Sequence, residues 1–278
     1  MEQVFGRWIS RRTFLGTMVA RLAAVNSNKA GAEVDDPFFA ESKTEEREGC
    51  GRRWTFPIRY YDLTMIGANF PAPVAAVQKI LPTRALRAVQ LVPDVAVVAL
   101  RAFEYRHIDQ AAPYNEYMVA VPILYRTPDQ GPELPGLYVS HLPVTTEEAR
   151  CAGVEFWGFP KFRGEITFED AGEARSCRVR ADGRDIVSLE VKKTDTKKTQ
   201  LPDVYVHTVK NGQLLRTRTQ WQTEGGIADV KGGASFTLGN HPVAEQLRAL
   251  EMDKTSVRHV YATWGQAMLH LPGERVPL

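Results

Sequence analysis

The sequence offers little for a metal, nucleotide or serine-hydrolase site. Cysteine occurs three times in 278 residues, as Cys50, Cys151 and Cys177, and no two of them form a CxxC pair. This wide and odd-numbered spacing predicts neither a zinc site nor a disulfide framework. The six histidines are scattered without an HExxH motif, and the chain has no GxSxG elbow and no glycine-rich Walker loop. We therefore expect no metal site, and hydrolase or nucleotide-dependent chemistry has no support.

The chain also lacks an excess of charge of either sign. There are 35 basic and 33 acidic residues, which give a net charge of +2 and do not favour a nucleic-acid partner. The densest basic run, residues 192–198, is interrupted by Asp195 and by threonines and is typical of a solvated loop. With 44% hydrophobic and 24% charged residues, the composition is that of a soluble globular protein. We expect neither a nucleic-acid nor a membrane partner.

The first 51 residues divide into two segments that we place outside the folded core. Residues 1–32 are a candidate targeting segment, in which Ser10–Leu15 resembles a twin-arginine export signal. Four arginines and a single acid in the same segment also fit a mitochondrial presequence, and an uncleaved tail is the third alternative. Residues 33–51 are rich in Asp and Glu and predict a flexible acidic linker. We place one folded domain at residues 52–278.

β-Branched and aromatic residues recur at short intervals through this domain. They predict many strands, among them Asp94–Glu104 and Tyr114–Tyr125. Helical spacing of apolar residues is limited to Pro71–Leu81, to Pro242–Leu250 and to a helix that starts after the cap residue Thr145. Many strands at hairpin spacing with few helices predict a mainly antiparallel β fold of the α+β class, a barrel or a sandwich with helices on its outside.

The segment Glu155–Gly164 (EFWGFPKFRG) carries the strongest chemical signal. It places Lys161 among four aromatic side chains, those of Phe156, Trp157, Phe159 and Phe162. Apolar surroundings lower the pKa of a lysine, and a neutral amine is a nucleophile towards carbonyl carbons. The alternative is a lysine at the end of a surface strand, whose aliphatic stem covers an aromatic patch.

Three segments of the chain, 59–61 (RYY), 113–116 (PYNE) and 153–161 (GVEFWGFPK), occur in an order that resembles the acetoacetate decarboxylase family. The resemblance extends over most of the predicted domain and is most specific in the lysine segment. It implies that Lys161 forms a Schiff base with the substrate, that Glu116 lies in the active site and that Arg59 binds the substrate carboxylate. It also implies a closed, cone-like β-barrel with a few peripheral helices, assembly as a homo-oligomer and no cofactor.

Two positions depart from the pattern of that family. Well-known members carry two successive lysines, whereas Phe162 follows Lys161 here. The lysine would then be kept neutral by aromatic side chains and not by a neighbouring cation. A second glutamate of the family has no counterpart, and Arg101 lies near its place. As substrate-binding residues we expect Tyr114, Phe156, Trp157, Phe159, Phe162 and Arg101.

The resemblance implies decarboxylation of a small keto acid, which would be acetoacetate or a longer or polyketide-derived β-keto acid. An imine formed on Lys161 would accept the electrons released when the bond to the carboxylate breaks. Two alternatives remain open: aldol condensation or dehydration of a keto acid through the same imine, and a barrel that binds a small ligand without turnover. Release of carbon dioxide separates the first alternative from decarboxylation, and trapping of a covalent adduct tests the second.

Overall fold

The computed structural model describes residues 36–40, 43–129 and 131–278. The chain divides into two compact units, Met1–Glu41 and Ser42–Leu278. The candidate targeting segment 1–32 lies outside the described residues. In the first unit, residues 37–40 form a turn. The second unit contains every described strand and helix.

Within these described residues, sixteen strands and three helices build the second unit. The strands are β1 (Glu45–Gly49), β2 (Arg52–Phe56), β3 (Ile58–Pro73), β4 (Leu86–Ala88), β5 (Gln90–Val92), β6 (Val95–Ile108), β7 (Tyr114–Tyr125), β8 (Leu134–His141), β9 (Glu165–Ala171), β10 (Ala174–Ala181), β11 (Arg184–Lys192), β12 (Lys197–Gln200), β13 (Val204–Lys210), β14 (Gln213–Ala228), β15 (Ala234–Leu238) and β16 (Arg258–Pro277). The helices are α1 (Val74–Gln78), α2 (Glu147–Trp157) and α3 (Pro242–Arg248). In this part of the chain, no helix is long and apolar enough to cross a membrane. The predicted mainly antiparallel β fold with few helices is confirmed.

Seven of the strands close into a barrel. Their order around it is β7–β8–β13–β14–β16–β3–β6, and β6 pairs in turn with β7. Neighbouring strands are antiparallel except β8 and β13, which are parallel. Because successive side chains of a strand point to opposite faces, the barrel strands can line an interior and pack on other layers at the same time. The closed β-barrel that the family resemblance implies is confirmed.

A second sheet, with the strand order β15–β11–β10–β9, covers one side of the barrel. The apolar cluster between the two layers, called here the outer cluster, joins barrel residues such as Phe70 and Leu100 to Leu189 and Phe236 of the second sheet. The ring centres of Phe70 and Phe236 are 4.7 Å apart. Burial of large apolar side chains of this kind is the main stabilising contribution in folding, so the outer cluster holds the barrel wall in place.

Another apolar cluster, called here the inner cluster, lies inside the barrel and extends to helix α2. It contains Phe103 and Tyr105 from β6 together with Phe156 and Trp157 from α2. Phe56 on β2 contacts both helix residues, with ring centres 4.9 Å from Phe156 and 5.4 Å from Trp157. Helix α2 is therefore fixed to the barrel by aromatic packing at the beginning of the lysine segment.

The region of Cys50 and Cys151 differs from the expectation in two respects. The segment 33–51, expected to be a flexible linker, includes β1, which pairs with β2 in an antiparallel hairpin. At the end of β1, Cys50 forms a disulfide with Cys151 of α2, and their Cα atoms are 5.9 Å apart. The expectation of no disulfide is therefore wrong. Spacing along the chain does not show which segments the fold brings together, and 101 positions separate these two cysteines; Cys177 is free and buried.

The start of α2 also differs from the prediction. The side chain of Thr146, and not that of Thr145, accepts the hydrogen bond from the Ala149 N–H, at 3.3 Å. The Thr145 hydroxyl accepts a hydrogen bond from the backbone N–H of Asn115 on β7, at 2.9 Å. Threonine is a favourable N-cap residue, so either side chain could cap the helix. Because Thr145 is hydrogen-bonded to β7, Thr146 is the residue that caps α2.

Replacing both Cys50 and Cys151 with serine should lower the free energy of unfolding by about 2–4 kcal/mol, because the bond closes a long loop in the unfolded chain. Denaturant unfolding under non-reducing conditions measures the difference. A reducing agent should bring the wild type down to the stability of the double variant and leave the double variant unchanged. Equal stability of the two proteins without reductant would show that the bond does not form.

Candidate active site

The turn that positions the lysine segment depends on a glycine at the end of α2. Gly158 has a left-handed backbone conformation with φ +61°, which favours glycine. A Cβ at this position would also lie 2.8 Å from the carbonyl oxygen of Val209. The N–H of Phe159 then donates to the carbonyl oxygen of Gly153 at 3.1 Å. The chain thereby turns back along the helix and brings Lys161 over Gly153.

Backbone hydrogen bonds fix the lysine segment next to the barrel wall. The N–H of Val144 donates to the carbonyl oxygen of Phe162 at 2.9 Å, and the N–H of Gly164 donates to the carbonyl oxygen of Val144 at 3.0 Å. Val144 also forms a β-bridge with Glu116 on β7. Val144 therefore lies between β7 and the lysine segment, so that the position of Lys161 relative to Glu116 is set by the main chain.

Lys161 and Glu116 form a buried ion pair. The Lys161 Nζ is 2.8 Å from the Glu116 Oε2, and the two side chains are 5% and 9% exposed. The Nζ also lies 5.3 Å from the ring centre of Tyr114 and 5.6 Å from that of Phe159, within the range of cation–π attraction. Each charge is compensated by the other, which a pair removed from water requires. Transfer of one proton from Nζ to Oε2 would leave a neutral amine and a neutral acid without any change in net charge.

Three phenols surround this pair, and Tyr60, Tyr105 and Tyr114 are called here the tyrosine cluster. The Tyr105 hydroxyl donates to the Glu116 Oε1 at 3.2 Å, and the hydroxyls of Tyr60 and Tyr114 are 3.2 Å apart. Burial raises the pKa of all three phenols, and the negative charge of Glu116 raises it further. The cluster is therefore protonated at neutral pH, where it supplies hydrogen-bond donors and no base.

The ion pair lies at the wall of a cavity of about 250 Å³ inside the barrel. Most of the wall is apolar; its residues are Tyr60, Met65, Arg101, Phe103, Tyr105, Glu116, Met118, Leu137, Val139, Leu142, Phe159, Lys161, Leu201, Val204, Val206, Thr219, Trp221, Ile227, Val260, Ala267, Met268 and Leu269. No three His, Cys, Asp or Glu side chains of the described residues are grouped so that they could hold a metal ion. The cavity can accept a small organic molecule directly beside a primary amine.

The residues singled out from the sequence divide into two groups. Four of them line the cavity: Lys161, Glu116, Phe159 and Arg101. The other five are not part of its wall: Arg59, Tyr114, Phe156, Trp157 and Phe162. Tyr114 still contacts the site through Tyr60 and Lys161, whereas Phe162 packs against the outer cluster. The aromatic surroundings of the amine therefore come from Phe159 and the tyrosine cluster, and only in part from the lysine segment.

Phe156 and Trp157 fix helix α2 to the barrel and do not line the cavity. The indole N–H of Trp157 donates to the carbonyl oxygen of His270 on β16 at 2.6 Å, and both rings belong to the inner cluster described above. Arg59 directly precedes Tyr60 on β3. Because neighbouring side chains on a strand point to opposite faces, the strand that brings Tyr60 to the cavity does not bring Arg59 there.

Arg101 lines the cavity but is held by the protein itself. Its guanidinium donates to the carbonyl oxygens of Ala68 and Leu100, at 2.8 and 2.9 Å, and to the side-chain oxygen of Asn69, at 2.7 Å. Burial, and then the nearby charge of Arg258, lower the pKa of Arg101 to about 10. The guanidinium is therefore charged at neutral pH, and three of its N–H donors are used within the fold.

Sequence reasoning missed Tyr105 and Phe103, which both face the site from β6. In the pairing of β6 with β7, Tyr105 lies opposite Tyr114, and Phe103 lies opposite Glu116. Directly opposed residues of an antiparallel pair share one face of the sheet. The signal was therefore present, but it becomes visible only when the register between the two strands is known.

Gly153 precedes the lysine in the same motif and lies within helix α2. Glycine in the middle of a helix costs about 0.5–1 kcal/mol relative to alanine, which points to a specific reason for its presence. A Cβ at Gly153 would lie 2.4 Å from the Cδ of Lys161 and 3.1 Å from its Nζ. The glycine thus makes the space in which the lysine side chain lies against α2.

A comparison with protein families identifies the family of the chain. The sequence model of the family described as acetoacetate decarboxylase (ADC) matches residues 45–272, a range that includes the barrel, the second sheet and the lysine segment. The chain belongs to the acetoacetate decarboxylase family. Membership supports an enzyme of the decarboxylase type and does not specify a substrate. A search of curated proteins gives no significant match.

Solved structures of acetoacetate decarboxylase and related enzymes share the fold. An acetoacetate decarboxylase from Legionella pneumophila has a TM-score of 0.60 and 16% identity, over 91% of this chain and 98% of that one. An acetoacetate decarboxylase-like enzyme from Sphingomonas wittichii has a TM-score of 0.55 and 15% identity, over 80% and 93%. The enduracididine biosynthesis enzyme MppR, complexed with pyruvate, has a TM-score of 0.54 and 14% identity, over 77% and 90%. At these identities the likeness establishes the fold.

Gly153→Ala should slow the reaction of the Lys161 amine with an added keto acid roughly a hundredfold, because displacement of a reacting group by about 1 Å can cost that much. Trapping the imine with borohydride at increasing times measures the rate. The helix itself should not be weakened, since alanine is the better helix former. Val154→Ala, at the adjacent and 38% exposed position, is the matched control and should leave the rate unchanged. An unchanged rate in Gly153→Ala would contradict the proposed contact.

Proposed function

We propose that the protein is a decarboxylase that binds a β-keto acid as a Schiff base on Lys161. The observation that carries the proposal is the buried Nζ, 2.8 Å from a carboxylate oxygen of Glu116 and at the wall of an apolar cavity. A lysine amine attacks a keto carbon through its lone pair, and the resulting imine is an electron sink. Glu116 is the group that can accept the ammonium proton and so expose this lone pair.

The first step is imine formation. After Glu116 takes a proton from the ammonium, the Nζ attacks the keto carbon and forms a carbon–nitrogen bond. The carbonyl oxygen takes up two protons, one from the attacking amine and one from Glu116, and leaves as water. The product is a protonated imine with a positive charge next to the Glu116 carboxylate, so the ion pair of the free enzyme is replaced by an equivalent one.

The second step is loss of carbon dioxide. The bond between the α-carbon and the carboxylate breaks, and its electron pair moves towards the imine nitrogen to give an enamine. The α-carbon then takes up a proton, and water hydrolyses the imine to a ketone and the free amine. Overall, one β-keto acid anion and one proton give one ketone and one carbon dioxide. Apolar surroundings favour this step because the charged carboxylate becomes a neutral gas.

Glu116 and the tyrosine cluster have separate roles in this scheme. Glu116 accepts and returns the proton at each stage, and general acid–base catalysis of this kind typically contributes 10²–10⁴-fold. Tyr105 holds the Glu116 carboxylate in place through its hydroxyl. Arg59 has no role in the scheme, because it is not part of the cavity wall.

A second candidate is aldol condensation or dehydration of a keto acid on the same imine. It is favoured by one structural neighbour, the enzyme MppR, which is complexed with the condensation product of pyruvate and imidazole 4-carboxaldehyde. Such chemistry retains the substrate carboxylate, and Arg101 is the cation at the cavity wall that would have to bind it. Because three of its donors are used within the fold, we place this reaction second.

We also propose that the protein works in an oxidising compartment, as the twin-arginine reading of residues 1–32 implies. The support is the Cys50–Cys151 bond, since disulfides persist outside the reducing cytosol. In protein taken from its native compartment, alkylation under denaturing, non-reducing conditions should label Cys177 alone. Labelling of all three cysteines would contradict this location. The homo-oligomer implied by the family resemblance is part of the proposal, and light scattering of the purified protein measures it.

Borohydride reduction in the presence of a β-keto acid should add one ketone-derived mass to the wild-type protein, at Lys161. Lys161→Met has a side chain of similar length without an amine, and it should give no adduct and no carbon dioxide. Intact mass, peptide mapping and carbon dioxide release are the measurements. Glu116→Gln keeps the shape of the carboxylate and should lower kcat by at least about 10²-fold.

The outcomes separate three hypotheses: a decarboxylase, an aldolase or dehydratase, and a barrel that binds a ligand without turnover. An adduct together with carbon dioxide supports the decarboxylase. An adduct without carbon dioxide, from every β-keto acid tried, supports aldol or dehydration chemistry. Absence of any adduct on the wild type would overturn imine chemistry and leave a ligand-binding barrel.

A further inference from the structure

The cavity extends well beyond the ion pair. The residues that face its interior are polar near the pair and apolar further away. We infer that the substrate is a β-keto acid with a straight apolar chain about three carbons longer than that of acetoacetate, close to 3-oxoheptanoate. The chain would lie along the barrel with its end between Met118, Ile227 and Val260. The inference rests on the proposed function only for the position of the keto carbon, beside Lys161.

The polar groups of the cavity that can meet a substrate are concentrated at one end. Phe103 lies opposite Glu116 on the neighbouring strand, and Met65 lies opposite Phe103. These residues form the level of the barrel at which the Lys161 amine is held. The Lys161 side chain is 5% exposed, so the keto and carboxylate groups placed beside it would be shielded from solvent.

The far end is one level further along the same strands. At this level five residues lie side by side on five neighbouring strands, each opposite the next. They are Met118 on β7, Arg101 on β6, Gly67 on β3, Val260 on β16 and Ile227 on β14. A step of two residues along a strand is about 7 Å, so this level is separated from Glu116 by roughly that distance. Ile227 is 46% exposed, so this level of the barrel reaches the protein surface.

The polar groups near the far end are engaged with the protein and do not call for a polar ligand. The Thr219 hydroxyl donates to the carbonyl oxygen of Val204 at 2.9 Å and accepts from the Trp221 indole at 2.8 Å. The Arg101 guanidinium is held by Ala68, Leu100 and Asn69, as described above. What remains facing the space is apolar, including Met118, Trp221 and Val260.

The volume limits the length of the chain. An apolar cavity of about 150 Å³ holds benzene, which has six carbon atoms. By the same ratio the cavity of about 250 Å³ holds about ten non-hydrogen atoms. Acetoacetate has seven, so it would leave apolar wall without a partner. Three additional carbons fill the space, and a longer chain would have to extend past Ile227 into solvent.

The test is the dependence of decarboxylation on chain length. For wild-type protein, kcat/KM should rise about fourfold per added methylene from acetoacetate to 3-oxoheptanoate, the factor that corresponds to about 0.8 kcal/mol per buried methylene. Beyond that length it should level off or fall. A profile that is flat, or highest for acetoacetate, would overturn the inference and leave the decarboxylase proposal intact.

Two matched variants locate the chain in the cavity. Val260→Phe fills the far end and should lower kcat/KM for 3-oxoheptanoate at least tenfold more than for acetoacetate. Val92→Phe makes the same change at a 51% exposed position outside the cavity and should leave the profile unchanged. An equal loss for both substrates in Val260→Phe would contradict the assigned position of the chain.

Binding of unreactive ligands tests the inference independently of turnover. Lys161→Met cannot form an imine, so calorimetry with straight-chain methyl ketones on this variant reports the cavity alone. Affinity should increase from acetone to 2-hexanone. If no β-keto acid releases carbon dioxide but this increase is found, the apolar chain site stands and the decarboxylase proposal fails. If affinity does not increase with length, the chain site is overturned whatever the reaction is.

Discussion

The buried ion pair of Lys161 and Glu116 is the interaction on which the arrangement of the candidate site depends. Two charges removed from water are tolerated only when each compensates the other and both are held in good geometry. Here the distance is 2.8 Å, and Tyr105 satisfies the second carboxylate oxygen. In the proposed mechanism the pair supplies a reactive amine in apolar surroundings, because a proton can move within it without creating net charge. A lone buried lysine would have no such route.

The fold meets this requirement mainly through its backbone. Val144 carries hydrogen bonds to the lysine segment and a β-bridge to Glu116, while Gly158 and Gly153 make room for the turn and for the lysine stem. The disulfide and the aromatic packing of α2 hold the helix on which that stem lies. Phe162 packs against the outer cluster, and the charged group in contact with the Lys161 amine is the carboxylate of Glu116.

The sequence predicted the parts of this site that are local and missed those that depend on register. Lys161, Glu116 and the β-rich pattern are visible in short segments, and the strand Tyr114–Tyr125 was predicted with both of its ends. The contact of Lys161 with Glu116, the position of Tyr105 and the Cys50–Cys151 bond all join distant segments, so no spacing along the chain reveals them. The aromatic run around Lys161 was interpreted as one shell, but helix and turn geometry sends its side chains in different directions. Only Phe159 of that run reaches the cavity wall.

The central claim is that the keto group is converted to an imine on Lys161, and the fate of its oxygen atom tests this most directly. Decarboxylation would be carried out in water enriched in oxygen-18, with correction for spontaneous exchange of substrate and product. Because the imine loses the original oxygen as water and is hydrolysed by solvent, the account predicts that the ketone released by the enzyme carries the solvent isotope. A ketone that keeps the original oxygen, released at the full enzymatic rate, would contradict it.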